Sequence, residues 1–449
     1  MSKTEKIYRN MSERIVDLFA KFPVIFLTGP RQSGKTTLAK EAFPNLSYVN
    51  LENPLVREAA IADPEGFFQQ YPSGVIIDEA QNFPEIFSYV QVYVDQNRRP
   101  GMYLLTGSQN FLLNEKISQT LAGRTCILEL LPLSSEEIYM HNIQNSLMDI
   151  ILSGGYPILY SEHTKITPWE FYPSYIQTYL ERDVRQIKNI SSLTRFQKFL
   201  SACAGRVGQL VDFSDIGRTC GLSVPTIMQW ISILEASYII YTVQPYYLNI
   251  NKRMIKSPKM YFYDTGVLCS LLGIRSTTDL SMHHAFGSIF ENFVINDFLK
   301  EQHNAGERKN LYFLRDSKGH EIDLLIPRAD GNILYEIKSS ATFNKDFVKG
   351  IQYYKSLSPS AHGAVIYRGD SRTKFKEIDV VPIQDHKFYE LVESVFNEIK
   401  EDLEKERINL VNNEYIDSKI PTFYNESTRD DVLRAVKKMM RIKNRKIDN

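Results

Sequence analysis

Apolar positions in the first third of the chain come in short runs separated by stretches with helical spacing. Strands are expected over residues 24–28, 47–51, 75–78, 103–106 and 125–130, with helices between them. That alternation marks a three-layer α/β unit built on a parallel sheet. In Gly74-Val75-Ile76-Ile77 the apolar positions do not alternate with polar ones, the pattern of a strand covered on both faces. After Leu131-Pro132-Leu133 the spacing turns helical, through Gly154-Gly155-Tyr156-Pro157 and into Tyr175-Ile-Gln-Thr-Tyr-Leu-Glu-Arg182-Asp183-Val184. This second region is expected to form a lid, with Arg182 or Arg185 facing a nucleotide or simply pairing on an exposed helix surface.

From about Thr194 the pattern becomes three short helices and a hairpin. A helix beginning at Phe213 is expected to end at Gly221. Ser223 then caps a second helix with Val224, Ile227, Met228, Ile231 and Leu234 on one face. Strand-like runs at 239–247 and 260–263 flank a basic stretch containing Lys252, Arg253 and Lys256. Together these read as a winged helix-turn-helix that presents Thr226, Gln229 and Trp230. Such a unit serves either DNA contact or protein packing, and the second helix carries almost no positive charge to decide between them.

Next come a helix around Glu291, a strand pair turned at Ser317-Lys318-Gly319, and a strand over 333–338. Side chains alternate along a strand, so Glu336 and Lys338 share a face. Past Pro382 a helical stripe (Val392, Val395, Phe396, Ile399, Leu403) leads to a basic end rich in Lys and Arg. The expected division is a P-loop core at 1–140, a helical lid at 141–192, a winged helix-turn-helix at 193–280, a nuclease-like α/β domain at 281–388, and a basic helical extension at 389–449.

Candidate chemistry concentrates at two places. Gly29-Pro30-Arg31-Gln32-Ser33-Gly34-Lys35-Thr36-Thr37 follows the first strand and fits G-x-x-x-x-G-K-[ST] at every fixed position. The glycines let backbone N–H groups turn inward around phosphates, and the helix that follows points its positive end at them. Lys35 is expected on the β- and γ-phosphates, and Thr36 on Mg²⁺. Asp78 and Glu79 close the third strand, where ligands gather in parallel sheets. Asp78 suits the Mg²⁺ shell, and Glu79 suits polarisation of the attacking water. Ser108 or Gln109, ending the fourth strand, is a candidate γ-phosphate sensor. Arg124 is expected either to stabilise transition-state charge or to clamp a carboxylate.

The second place is Asp323 with Glu336 and Lys338. Two acids on neighbouring strands can hold a second Mg²⁺ or Mn²⁺, with the Ile337 carbonyl and the helix residue Glu291 completing the site. Lys338 would orient the attacking water, which is phosphodiester-hydrolysis chemistry. Gln352, Tyr353 and Tyr354 would approach a nucleic-acid backbone. An E-x-K strand also occurs as a plain surface charge pair.

Composition adds limits rather than direction. The chain has 449 residues, 43% hydrophobic and 24% charged, which suits several globular domains. Its formal net charge is zero, so any nucleic-acid contact must come from local patches. Cys126, Cys203, Cys220 and Cys269 are scattered without C-x-x-C spacing. No apolar run is long enough for a membrane span and the start is polar, so a cytoplasmic location is expected.

The motifs taken together resemble the bacterial and archaeal ATP-binding proteins that join an AAA-type ATPase domain to a C-terminal domain of unknown function. The matching residues are Phe26 through Thr37, Ile77-Asp-Glu-Ala-Gln81, Leu105-Thr-Gly-Ser-Gln109, Leu121-Ala-Gly-Arg124, Gly154-Gly-Tyr-Pro157 and Tyr179-Leu-Glu-Arg-Asp-Val184. The resemblance implies an AAA core, a winged-helix segment and a restriction-endonuclease-like C-terminal fold. It also implies a homo-oligomer in which a neighbour supplies an arginine to the ATP site. The leading expectation is an ATPase controlling a nuclease-like, DNA-directed unit. The alternatives are an ATP-dependent DNA-binding switch that does not cut, and a defence- or toxin-like signalling ATPase acting on protein.

Overall fold

The computed structural model describes residues 7–108, 121–141, 145–161, 165–180, 193–246 and 257–383, with isolated helical positions beyond. Gln109, Arg182, Arg185, Lys252, Arg253, Lys256 and the basic chain end past Lys437 lie outside the described residues.

Strands β1 (Val24–Gly29), β2 (Ser47–Asn50), β3 (Val75–Asp78), β4 (Tyr103–Ser108) and β5 (Thr125–Glu129) form one parallel sheet in the order β2-β3-β4-β1-β5. This is the expected P-loop α/β unit. β1 lies inside the sheet between β4 and β5 and is buried at every position, as an unbroken apolar run requires. One face of the sheet packs Phe26, Val75, Ile77 and Leu105 against Phe87 and Val90 of the helix Ile86–Gln96. The other packs Ile25, Leu27, Ile76 and Leu104 against Leu38 of the helix Lys35–Ala42 and Ile15 of the helix Ser12–Phe19.

A second sheet follows the order β12-β13-β11-β10-β9-β8-β6-β7. It comprises β6 (Ile240–Pro245), β7 (Lys259–Phe262), β8 (Tyr312–Arg315), β9 (Glu321–Ile326), β10 (Ile333–Lys338), β11 (His362–Tyr367), β12 (Thr373–Phe375) and β13 (Ile378–Pro382). β6 and β7 make the expected antiparallel pair. β6 also pairs in parallel with β8 through Gln244 and Pro245. The hairpin is therefore the edge of the C-terminal sheet, and the expected boundary at 280 is bridged by backbone hydrogen bonds. The helix Phe286–Asn304 packs on this sheet and reaches back to the first unit, its Lys300 Nζ donating to the Leu133 carbonyl at 2.7 Å.

The helix Val224–Ala236 begins at Ser223, whose hydroxyl accepts from the Thr226 N–H, and the preceding helix ends at left-handed Gly221. Its buried face differs from the expected one. Val224 and Met228 are exposed, whereas Trp230 is buried edge-on against Phe196 and Phe199. Trp230 is therefore a core residue and presents nothing to a partner. The helix Leu193–Ala204 covers the side of Val224–Ala236 that bears Trp230, and the 3.6-residue period alone does not reveal that neighbour.

Candidate functional site

The phosphate loop runs from Gly29 to Thr36 with positive φ at Gly29 (143°), Gln32 (60°) and Gly34 (96°). That backbone turns successive N–H groups to one side, and the helix Lys35–Ala42 starts directly behind it. Gly29 is required for a second reason: a Cβ there would lie 2.3 Å from the Leu130 carbonyl oxygen. Pro30 and Ser33 are buried, Arg31 is half-buried, and Gln32 and Thr37 are exposed. The buried Ser33 hydroxyl has no hydrogen-bond partner.

Lys35 Nζ curls back onto the loop, donating to the carbonyls of Gly29 (3.0 Å) and Pro30 (2.7 Å). Burial pushes its pKa down to about 8, while the charges of Glu79 and Asp78 act in the opposite direction. Thr36 Oγ1 donates to Asp78 Oδ2 at 2.9 Å, so the two expected magnesium residues already adjoin. Asp78 also accepts from Tyr48 OH at 2.7 Å and from the Thr106 hydroxyl. Glu79 sits in left-handed backbone, its carboxylate accepting from Gln81 Nε2, which also reaches Ser108 Oγ at 3.2 Å. Ser108 stands beside Gly29 in the β1–β4 register. The loop's inward donors, the free Ser33 hydroxyl, Lys35 and the Thr36–Asp78 pair fit a nucleoside triphosphate with magnesium.

Arg124 does not join this site. It precedes β5, whose Thr125 pairs with Val24 at the start of β1, whereas the phosphates belong at the Gly29 end. Five strand residues at about 3.3 Å each separate the two ends. Arg124 instead holds Asp95 through two contacts of 2.6 and 2.8 Å at the surface. Of the two roles the sequence allowed, carboxylate clamping is the one realised within this chain.

Three of the residues expected in the C-terminal unit, Asp323, Glu336 and Lys338, meet directly, whereas Glu291 is engaged by other partners. Lys338 Nζ lies 3.0 Å from Asp323 Oδ2 and 2.5 Å from Glu336 Oε2, and the Ile337 N–H donates to Asp323 at 2.8 Å. Ile337 thus contributes its N–H here, where its carbonyl was expected. Glu291 Oε1 accepts from Tyr261 OH at 2.6 Å and from Lys259 Nζ at 3.1 Å, and Lys259 also pairs with Glu321 at 2.6 Å. Burial drives Glu336 up to about 8, with the Asp323 charge adding to the effect. Burial would lower Lys338, but the Asp323 and Glu336 charges outweigh it and hold the ammonium above its ordinary value.

The expected trio Glu291, Asp323 and Glu336 differs from a bare carboxylate cage. Two lysines alternate with the acids, and among the described residues no group of three or more metal donors forms. The tyrosines 353 and 354 are engaged internally: Tyr353 stacks on His320 at 3.8 Å and donates to Asp316, while Tyr354 is buried. Tyr48, Lys259, Tyr261 and Glu321 were not singled out by sequence reading. Gln81 and Thr106 stood inside the matched motifs but carried no assigned role.

Residues 21–139 match the AAA domain family, 144–278 a domain of unknown function (DUF8612), and 286–386 a domain of unknown function (DUF4143). Uncharacterized proteins of Mycobacterium bovis and Mycobacterium tuberculosis are each 30% identical over 339 residues, covering 74% of this chain and 74% of theirs. An uncharacterized protein of Haemophilus influenzae is 23% identical over 372 residues, 75% of this chain and 87% of its own. Among solved structures, a Walker-type ATPase of Pyrococcus abyssi overlaps with a TM-score of 0.36 at 14% identity, over 58% of this chain and 94% of that one. A signal-transduction ATPase with a tetratricopeptide-repeat sensor from Pyrococcus horikoshii gives 0.24 at 12% identity, over 97% of this chain and 64% of that one. No helix among the described residues is long and apolar enough to cross a membrane.

Proposed function

Because the chain belongs to the family of ATP-binding proteins that join an AAA domain to a C-terminal domain of unknown function, we propose that it hydrolyses ATP and that the cycle controls a nuclease-like, DNA-directed unit behind it. The observation that carries the ATP half is the Thr36–Asp78 pair beside Lys35 and an inward-turned loop. Magnesium, when bound with the nucleotide, would supply charge neutralisation between the β- and γ-phosphates. Thr36 and Asp78 would hold that ion and its water shell. Lys35 would leave the Gly29 and Pro30 carbonyls for phosphate oxygens. Glu79, steadied by Gln81, would take the proton of the attacking water, and Ser108 would orient the γ-phosphate. Gln109 keeps its expected role as an alternative sensor.

For the C-terminal unit, support comes from Asp323, Glu336 and Lys338 converging within hydrogen-bond reach on adjacent strands. Lys338 would orient a water toward a phosphodiester, while Asp323 and Glu336 would bind a divalent ion and Glu291 would fix the surrounding charges. Lys259 favours a second reading, a DNA-binding switch that does not cut. Its ammonium already balances Glu291 and Glu321, leaving less free carboxylate for a cation. The functional division we adopt is ATPase core, lid, winged helix, nuclease-like domain and basic extension, as the sequence suggested. A reducing cytoplasm suits the four free thiols.

The test is phosphate release from ATP by the full chain, followed by incubation with linear, branched and single-stranded DNA in Mg²⁺ or Mn²⁺. Cleavage that disappears in Lys338→Ala supports the nuclease reading. Salt-sensitive DNA binding without cutting supports the switch. No phosphate release under any ionic condition would remove the ATPase reading.

A further inference from the structure

Arg9 lies ahead of the helix Ser12–Phe19 and outside every motif considered above, yet it is 5% exposed and all three guanidinium nitrogens have partners. Nη1 donates to the Ser33 carbonyl at 2.5 Å, Nη2 to the Leu131 carbonyl at 2.6 Å, and Nε to Glu137 Oε1 at 3.2 Å. Glu137 is itself buried and fixed by the N–H groups of Asn10 (2.6 Å) and Ser134 (2.9 Å). A Cβ placed on Gly34 would lie 3.4 Å from Arg9 Nη1 and 3.9 Å from Pro157 Cγ. The guanidinium and the Gly154-Gly155-Tyr156-Pro157 turn therefore back the loop from outside.

The Ser33 carbonyl and the Gly34 N–H are opposite ends of one planar peptide unit. A loop that turns its N–H groups inward must turn carbonyls outward, where they need partners of their own. A cation on the outward oxygen fixes that plane and polarises the peptide, which strengthens the N–H on the far side as a donor to an anion.

We propose that Arg9, braced by Glu137, is a positioning residue for the nucleotide's phosphates: it sets the orientation and donor strength of the Ser33–Gly34 peptide without touching the nucleotide. The Leu131–Leu133 turn that accepts Arg9 also accepts Lys300 of the helix Phe286–Asn304, the helix that carries Glu291. The backing of the phosphate loop is thus shared with the C-terminal unit. This inference rests on the reading of the loop as an ATP site.

The experiment titrates fluorescent ADP and ATP against wild type, Lys35→Ala, Arg9→Ala, Arg9→Lys and the double variant R9M/E137L. Melting is followed without nucleotide, and ATP turnover is measured at saturation. The double variant removes both charges together and so spares the chain the uncompensated buried Glu137 that Arg9→Ala leaves. Arg9→Ala and the double variant should lose roughly ten- to a hundredfold in affinity for ADP and ATP alike, the scale of one charge-assisted hydrogen bond. Saturated turnover should stay within about threefold. Lysine should recover little, because one ammonium cannot reproduce the fork. A folded variant that binds ADP as tightly as wild type would overturn the inference. Wild type that binds no better than Lys35→Ala would instead remove the ATP reading, and the inference with it.

Discussion

Raising the pH above about 8 should weaken ATP binding through Lys35. In the free protein the Lys35 ammonium is buried and, among the described residues, donates to the Gly29 and Pro30 carbonyls, and burial brings its pKa from 10.5 to about 8. Phosphate oxygens placed against the ammonium favour its charged form and return it to its ordinary range or higher. Below pH 8 the amine is protonated in both states, so affinity is level. Between pH 8 and 10.5 only the bound state keeps the proton, so the dissociation constant should rise about tenfold per pH step. The whole effect is bounded by about 3 kcal/mol, a few hundredfold. Folding stability of the free protein should run the opposite way in the same window. The unfolded chain binds the extra proton there, so the cost of enclosing a charged amine is full below pH 8 and relieved as pH rises toward 10.5. Calorimetric titration with a non-hydrolysable ATP analogue, in two buffers of different ionisation enthalpy, counts the protons taken up. Uptake should approach one per site near pH 9. A level affinity to pH 9.5 with no proton uptake would refute the argument.

Glu79→Gln should keep ATP affinity within a few-fold and slow turnover by roughly a hundredfold or more, as phosphate-release kinetics would record. Unchanged turnover would remove Glu79 from the base role. Arg124→Ala should leave ATP affinity and the melting temperature unaltered in the isolated chain, because its partner is surface Asp95 far from the loop. A loss of turnover confined to the assembled protein would show that Arg124 serves a neighbouring copy. Lys259→Met should cost about 3 kcal/mol in denaturant unfolding by taking the ammonium from Glu291, which keeps the Tyr261 hydroxyl, while Glu321 keeps Arg315. Glu291→Gln in the same chain should restore part of it. Strict additivity of the two changes would deny the coupling.

The phosphate loop was legible because its chemistry is written in consecutive residues whose backbone does the binding. The Thr36–Asp78 pair was legible almost as directly, since parallel strands bring their C-terminal ends to one edge. Asp323, Glu336 and Lys338 followed from strand alternation on two neighbouring strands. Arg124 stayed open between two roles because a motif names a residue without saying at which end of the sheet it lies. Trp230 misled because helical periodicity offers more than one apolar stripe, and the packing partner chooses between them. Lys259 and Tyr261 gave no local sign: they reach Glu291 only because β6 joins β8 and draws the hairpin onto the C-terminal sheet.

By itself, then, the sequence determined which groups can meet phosphate, since short-range spacing and strand phase place them. Only the tertiary structure decided what stands behind those groups: Arg9 on the Ser33 carbonyl, Tyr48 and Thr106 on Asp78, and Lys259 among the second set of acids. The physical reason is distance along the chain. A buried charge or an outward carbonyl must find a partner, but which remote residue meets that need depends on how the layers close on one another.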